Sequence, residues 1–313
     1  MKKGFLQSFP AIAVWLFSLI PLAAQQVPTA GGVPAHMVVT VEARHGADIP
    51  VINREDVMVY QERDRNTVTD WVPAQGDHAA LELFILLDDS STTTVSTQFE
   101  NIRKFIAEQP ASAKIGVAYM QNGSARVQQN LTSDHDQAAK ALRLPLAQPG
   151  INASPYFSLS DLIKRWPESG ARREVLMVSD GIDRYYGTSD LQDPYVSSAI
   201  DDAQRAGVIV YAIYNPGAGH EGHSYWLSYW GQIYLSRVAD ETGGESYYIG
   251  FNGSAPNFGP FLDDMTQRLN HQFLLTFLAK PPKKAGLQKV KLTTEINNAE
   301  LVAADKVFVP AEP

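Results

Sequence analysis

The run FILLDDSSTTT, residues 84–94, is apolar for four residues, meets two aspartates and then continues as hydroxyl side chains. In an extended chain alternate residues share a side, so Asp88, Ser90 and Thr92 project together and Asp89 projects away from them, as an outer or solvated charge. Two readings are open at this point. The three oxygen side chains form part of a cation site, or they cap the helix that follows.

Working outward, LELFILLD (81–88) reads as a continuously apolar, buried strand. VSTQFENIRKFIAEQ then places Phe99, Ile102, Phe105 and Ile106 on one helical face. AKIGVAYM and ARVQQNL flank QNGS, whose Asn122-Gly123 pair predicts a hairpin. Further on, SDHDQAAKALRLPL and FSLSDLIKRW read as helices and EVLMVSD as a buried strand. SSAIDDAQRAG leads into VIVYAIY, IYLSRVADETGG into ESYYIG, and FGPFLDDMTQRLNHQF closes the series. Strands alternating with helices predict an α/β fold with a doubly wound, mostly parallel sheet covered on both faces. The flanks differ in texture. MVVTVEARHGADIPVINREDVMVYQERDRNTVTDWVP and FLLTFLAKPPKKAGLQKVKLTTEINNAELVAADKVFVP are rich in β-branched residues and turns. They predict a small β-sandwich built from both ends of the chain. The expected organisation is a signal peptide over 1–24, linker and strands over 25–78, the α/β domain over 79–271, and strands over 272–313 that pack with the N-terminal ones.

Ligands of such sheets bind beyond the carboxyl ends of the strands, where the strand order reverses. Asp88 closes the first strand of the series and Asp180 closes EVLMVSD, so adjacent first and fourth strands would set these carboxylates opposite each other. The loop QPGINASPYFS returns to the same edge and offers Asn152 and Ser154. Carboxylates and hydroxyls without imidazole form a hard oxygen site of the kind Mg²⁺ or Mn²⁺ prefers. Ser179-Asp180-Gly181, arriving where the α/β series requires it, favours the cation reading over the cap.

These elements resemble the von Willebrand factor type A domain, whose metal-ion-dependent adhesion site is written D-x-S-x-S, then a loop Thr, then Asp in a T-D-G or S-D-G turn. DDSST fits the first element with Thr92 in place of the last serine, and VSDG fits the last. The flanking stretches look like those of the secreted, VWFA-related Acidobacterial type. The resemblance implies a metal site of Asp88, Ser90, Thr92, Ser154 and Asp180, with Ser154 standing where the family has its loop threonine. It also implies cation-dependent binding of a protein or matrix ligand presenting Asp or Glu, without catalysis. Asp183 and Asn152 are candidates for an outer layer orienting the ligands.

Between a strand and its helix, NPGAGHEGHSYWLSYWGQIYL (215–235) is longer than an ordinary connection. His220 and His223 stand three apart in glycine-rich sequence, not at the H-E-x-x-H spacing that puts two imidazoles on one helical face. Tyr225, Trp226, Tyr229 and Trp230 are candidate partner contacts, because aromatic side chains dominate binding hot spots. Simple packing over the sheet edge is the alternative.

Composition bounds the rest. In 313 residues there is no cysteine, which removes disulfides, thiolate ligands and a thiol nucleophile. A formal charge of −8 without a basic stripe argues against nucleic acid as a partner. MKKGFLQSFPAIAVWLFSLIPLAAQQ has the lysines, short apolar stretch and small-residue exit of a cleaved secretory signal. No later segment reads as a membrane span, so a secreted or periplasmic protein is expected. A metal-assisted hydrolase using Ser90 as nucleophile is the rival function, and a structural module with a degenerate site is the third.

Overall fold

The computed structural model describes residues 32–46, 48–146, 154–187, 192–218, 224–248 and 257–311. The expected signal peptide, Asn152 and the His220–His223 stretch lie outside them.

The α/β part opens with β4 (Leu81–Asp88), numbered after three strands of the flanking sheet, β1 (Val33–Ala43), β2 (Val57–Gln61) and β3 (Asp64–Pro73). It continues through α1 (Phe99–Glu108), β5 (Ala113–Gln121), β6 (Ser124–Thr132), α2 (His135–Lys140), α3 (Pro155–Arg165), β7 (Arg172–Ser179), α4 (Pro194–Ala206), β8 (Val208–Tyr214), α5 (Tyr225–Thr242), β9 (Ser246–Tyr247) and α6 (Gly259–Asn270). The sheet order is β6-β5-β4-β7-β8-β9. All pairs are parallel except the β5–β6 hairpin at the edge. Its turn is Asn122-Gly123, with φ of 51° and 73°, the left-handed pair that a two-residue hairpin needs. Counted along this series the order is third, second, first, fourth, fifth, sixth. It reverses between β4 and β7, which makes that junction the switch point of a doubly wound sheet.

Every residue of β4 is buried, as its unbroken apolar run requires. Its two faces feed two cores. Leu83, Ile85 and Leu87 pack with Phe99, Ile102, Phe105 and Ile106 of α1 and with Leu262 and Met265 of α6. Phe84 and Leu86 pack with Tyr156 and Leu159 of α3, Ile200 of α4 and Leu235 of α5. Helices therefore cover both faces, and Asp88 sits where β4 ends.

The flanks do not make a sandwich of two sheets. β1, β2 and β3 join β10 (Gln272–Ala279), β11 (Gly286–Thr294), β12 (Ala299–Ala303) and β13 (Lys306–Val309) in one antiparallel sheet, ordered β12-β1-β10-β3-β2-β11-β13. Its ends curl toward each other, since β1 also meets β13 and β11 meets β12. One curled sheet encloses its own core around Val39, Val59, Leu275 and Phe277, so a second sheet is not required. Trp71 stacks on Phe273 with centroids 4.4 Å apart. The alternating pattern of the sequence is common to both arrangements, because curl is set by register and twist and not by which residues alternate.

Candidate functional site

The parallel register between β4 and β7 runs to Leu87 beside Val178, so Asp88 and Ser179 leave the sheet side by side. The Asp88 carboxylate is buried and its partners are local. Oδ1 accepts the Ser90 N–H at 3.0 Å and the Ser90 hydroxyl at 2.5 Å, and Oδ2 accepts the Ser179 hydroxyl at 2.8 Å. Burial pushes its pKa up and the Asp180 charge pushes it further, against the hydrogen bonds from Ser90 and Ser179. A carboxylate in that situation is stabilised by any cation that reaches it.

Asp180, wholly buried, follows Ser179 and turns the chain. Its Oδ1 accepts the Ile182 N–H at 3.0 Å. Both oxygens face the Arg184 guanidinium, with Nη2 to Oδ2 at 2.5 Å and Nη1 to Oδ1 at 3.3 Å. Ser154 is the N-cap of α3, accepting the Phe157 N–H at 3.4 Å and donating to Asp183 Oδ2 at 3.2 Å. Asp183 in turn holds the Tyr185 and Tyr186 N–H groups at 2.7 and 3.1 Å. Asp88, Ser90, Ser154, Ser158 and Arg184 line one small cleft beside the Asn122-Gly123 turn.

Asp180 is not among the residues lining that cleft and meets it through Arg184, and Thr92 is not among them either. Thr92 is exposed, stands at the N-cap position of the short 3₁₀ turn over Thr93–Gln98 without a side-chain cap bond, donates its N–H to the Gly217 carbonyl at 2.7 Å and pairs its hydroxyl with that of Thr94 at 2.5 Å. Thr92 thus stands at a cap position without capping through its side chain, while Asp88 and Ser90 turn inward. Asp89 does project away from Asp88, but into protein. It is 2 % exposed and bound by Arg143 through both oxygens, at 2.7 and 3.0 Å. Residue alternation gives the direction of a side chain and not what waits there, and Arg143 arrives from a segment 54 residues later.

Two neighbours of the site were not legible as such. Arg184 is one, although its position four residues after Asp180 is a spacing at which side chains meet across a turn. The other is a cluster of Phe157, Tyr185, Tyr186 and Tyr195, whose rings meet edge to face at 4.4–5.9 Å. Tyr185 and Tyr186 remain about half exposed beside the Asp183 turn.

The aromatic stretch 225–230 forms the first turns of α5 and divides by exposure. Tyr225, Trp226 and Tyr229 are exposed, whereas Trp230 packs against the core under α5. Trp230 thus belongs with the packing alternative. The helix is docked on the site by a glycine pair. A Cβ on Gly231 would lie 2.2 Å from the Asp180 carbonyl, and one on Gly181, whose φ is +68°, would lie 2.2 Å from the Gly231 carbonyl. Gly231→Ala is expected to destabilise the fold by more than about 1 kcal/mol, opposite in sign to the gain that alanine brings to a free helix. Urea unfolding measures it, and a stabilised variant would mean that α5 is not held against the Asp180 turn.

Among the described residues the donors lining the cleft that suit a hard divalent ion are the Asp88 carboxylate and the Ser90, Ser154 and Ser158 hydroxyls. Among the described residues no group of three or more His, Cys, Asp or Glu side chains is arranged to hold a metal ion. An ion here would rely on Asp88 and Asp180 for charge and on Ser90, Ser154 and water for the remaining oxygens.

No protein-family model matches the chain, and no curated protein matches it. Among solved structures it is similar to an aerotolerance-related membrane protein from Bacteroides fragilis carrying multiple mutations to serines. The identity is 15 %, over 61 % of this chain and 99 % of that one, with a TM-score of 0.45. It is also similar to the SpRpn10 VWA domain, at 15 % identity over 60 % of this chain and 94 % of that one, with a TM-score of 0.37. Neither likeness carries a function or a site residue to this chain, and the fold stands on the strand order β6-β5-β4-β7-β8-β9.

Proposed function

We propose that this chain is a binding module that holds one Mg²⁺ or Mn²⁺ at the switch point and uses an open coordination position to take an Asp or Glu of a protein or matrix partner. The observation that carries the reading is the approach of Asp88 and Asp180 at adjacent strand ends, near enough for the Asp180 charge to act on the Asp88 carboxyl, which lines a cleft with the Ser90 and Ser154 hydroxyls. The ion would supply positive charge between two carboxylates that repel each other and a contact point for a third. Asp88, Asp180, Ser90 and Ser154 would hold it, with Asp183 fixing Ser154 from behind. Thr92 would have to leave Thr94 to take part. The exposed rings of Tyr225, Trp226 and Tyr229 on one element and of Tyr185 and Tyr186 on another offer apolar contacts for the partner. No helix among the described residues is long and apolar enough to cross a membrane. Placement outside the cytoplasm belongs to this proposal and rests on the N-terminal sequence.

Against the hydrolase alternative, the Ser90 hydroxyl has Asp88 as its base, and that carboxylate already accepts two further hydrogen bonds. Among the described residues no imidazole lines the cleft to relay a proton.

Calorimetric titration with Mn²⁺ tests the reading. Asp88→Ala and Asp180→Ala are each expected to abolish measurable binding, and Thr92→Ala to change it far less, because only the first two remove charge from the cleft. Asp88→Ala should lower stability only modestly, because the Ser90 N–H and Ser179 hydroxyl that lose their acceptor are offset by removal of a buried charge facing Asp180. Unchanged Mn²⁺ affinity in Asp88→Ala would return residues 88–92 to the role of a helix cap.

A further inference from the structure

Arg184 already supplies a cation to this cleft. Its guanidinium lies against both oxygens of Asp180, reaches the Ile182 carbonyl at 3.4 Å, and lines the same space as Asp88, Ser90 and Ser154. Burial works against its charge, and Asp180, Asp88 and Asp183 together outweigh that effect, so the arginine sits in the summed field of three carboxylates. The two partners differ in freedom. Asp180 is fixed at a strand end with no exposed surface, whereas the Arg184 side chain is 22 % exposed and follows a turn whose next residues, Tyr185 and Tyr186, face outward. The arginine is the partner nearer solvent, and the aspartate is the one fixed in the core.

We infer that Arg184 is a resident counter-ion that competes with the divalent ion for Asp180, so that the guanidinium-held and metal-held states of the cleft exclude each other. Two consequences follow from charge alone. The apo cleft is kept folded and closed by the arginine, and metal loading releases a guanidinium at the rim. There it can pair with the same carboxylate that the metal would take, since a planar fork of donors matches a carboxylate well. A carboxylate partner would therefore favour the metal-held state, and metal would favour the partner. This inference rests on the proposed ion site and adds a specific gate to it.

The test is Mn²⁺ titration by calorimetry of the full chain and of Arg184→Gln, in high salt to screen long-range charge effects. If the arginine-released state is populated at about one part in ten or less, removing the arginine raises Mn²⁺ affinity about tenfold or more. The double variant Arg184→Gln, Asp88→Ala should lose that gain, which places it in the cleft. Equal or weaker binding by Arg184→Gln than by the unaltered chain overturns the gate and leaves the ion site standing. Absence of binding in both proteins overturns the ion site and the gate with it. Should Arg184→Gln fail to fold, the unaltered chain answers by NMR. The Arg184 side-chain Nε–H resonance should move with added Mg²⁺ at the same midpoint as the Ser90 amide. A Ser90 amide that titrates while the Arg184 resonance stays fixed overturns the competition, and a Ser90 amide that does not move overturns the ion site.

Discussion

Asp89→Ala is expected to lower folding stability by about 3 kcal/mol while leaving Asp88 and Asp180 in place. Asp89 accepts two hydrogen bonds from the Arg143 guanidinium, one from Gln121 Nε2 at 3.0 Å and one from the Leu146 N–H at 2.9 Å. The guanidinium also lies 3.9 Å above the Tyr119 ring, and the Tyr119 hydroxyl both donates to the Arg143 carbonyl and accepts its N–H, each at 2.8 Å. One buried carboxylate thus ties the segment after α2 to the ends of β4 and β5. Removing it leaves a backbone N–H, a side-chain amide and a guanidinium without their acceptor. The loss belongs near the lower end of the range for broken buried pairs, because the Arg143 side chain is 31 % exposed and water can reach it. Chemical denaturation reads the difference directly. A change below about 1 kcal/mol would place this pair with solvent-screened surface contacts.

The second large effect is one of pH. Glu174 lies in the middle of the sheet on β7 with no exposed surface, and neither carboxyl oxygen has a hydrogen-bond partner within the distance of a normal bond. Burial pushes its pKa from 4.5 up to about 7, against the Arg172 charge and the Gln272 side chain. Arg172 stands 4.0 Å from Oε1 and is engaged by the Leu269 carbonyl and by Gln272. The raised value means that the folded state binds the proton more tightly than the unfolded chain. Its contribution to stability is therefore complete below about pH 4.5, is lost as pH rises through 7, and levels off above that. The amount follows from the two values and is about 3 kcal/mol. Asp88, Glu42 and Asp240 are shifted in the same direction by burial, so the total profile mixes several groups. Glu174→Gln keeps the shape and removes one titration. The stability of the unaltered chain, measured from pH 5 to 8, should fall relative to Glu174→Gln, and parallel curves would mean that Glu174 is ionised throughout.

The α/β half of the molecule was legible because its signals are local. A strand buried on both faces must be apolar throughout, as LELFILLD is, and a helix packed on it must repeat its apolar residues at helical spacing, as Phe99, Ile102, Phe105 and Ile106 do. Asn122-Gly123 specifies its turn by φ alone. Asp88 and Asp180 were found from the rule that strand ends at a switch point face a common crevice, and the strand order satisfies that rule. What the sequence hid is whatever depends on long-range arrival. Arg143 reaches Asp89, and Gly231 packs on Gly181, across dozens of residues with no periodic signal. The closing of the flanks into one curled sheet likewise depends on which strand meets which, not on how each strand alternates. Arg184 was hidden for another reason. Metal-ligand patterns consist of oxygen donors, and the residue that answers the cleft's charge is itself a cation.

Under the proposed exchange, Asp88 and Asp180 hold a divalent ion in place of the Arg184 guanidinium. Anomalous diffraction from crystals of the protein soaked in Mn²⁺ tests it most directly. A single manganese peak between Asp88 and Asp180, within reach of the Ser90 or Ser154 hydroxyl and with Arg184 withdrawn from Asp180, is the predicted result. A map with no peak in the cleft and Arg184 still on Asp180 would contradict it.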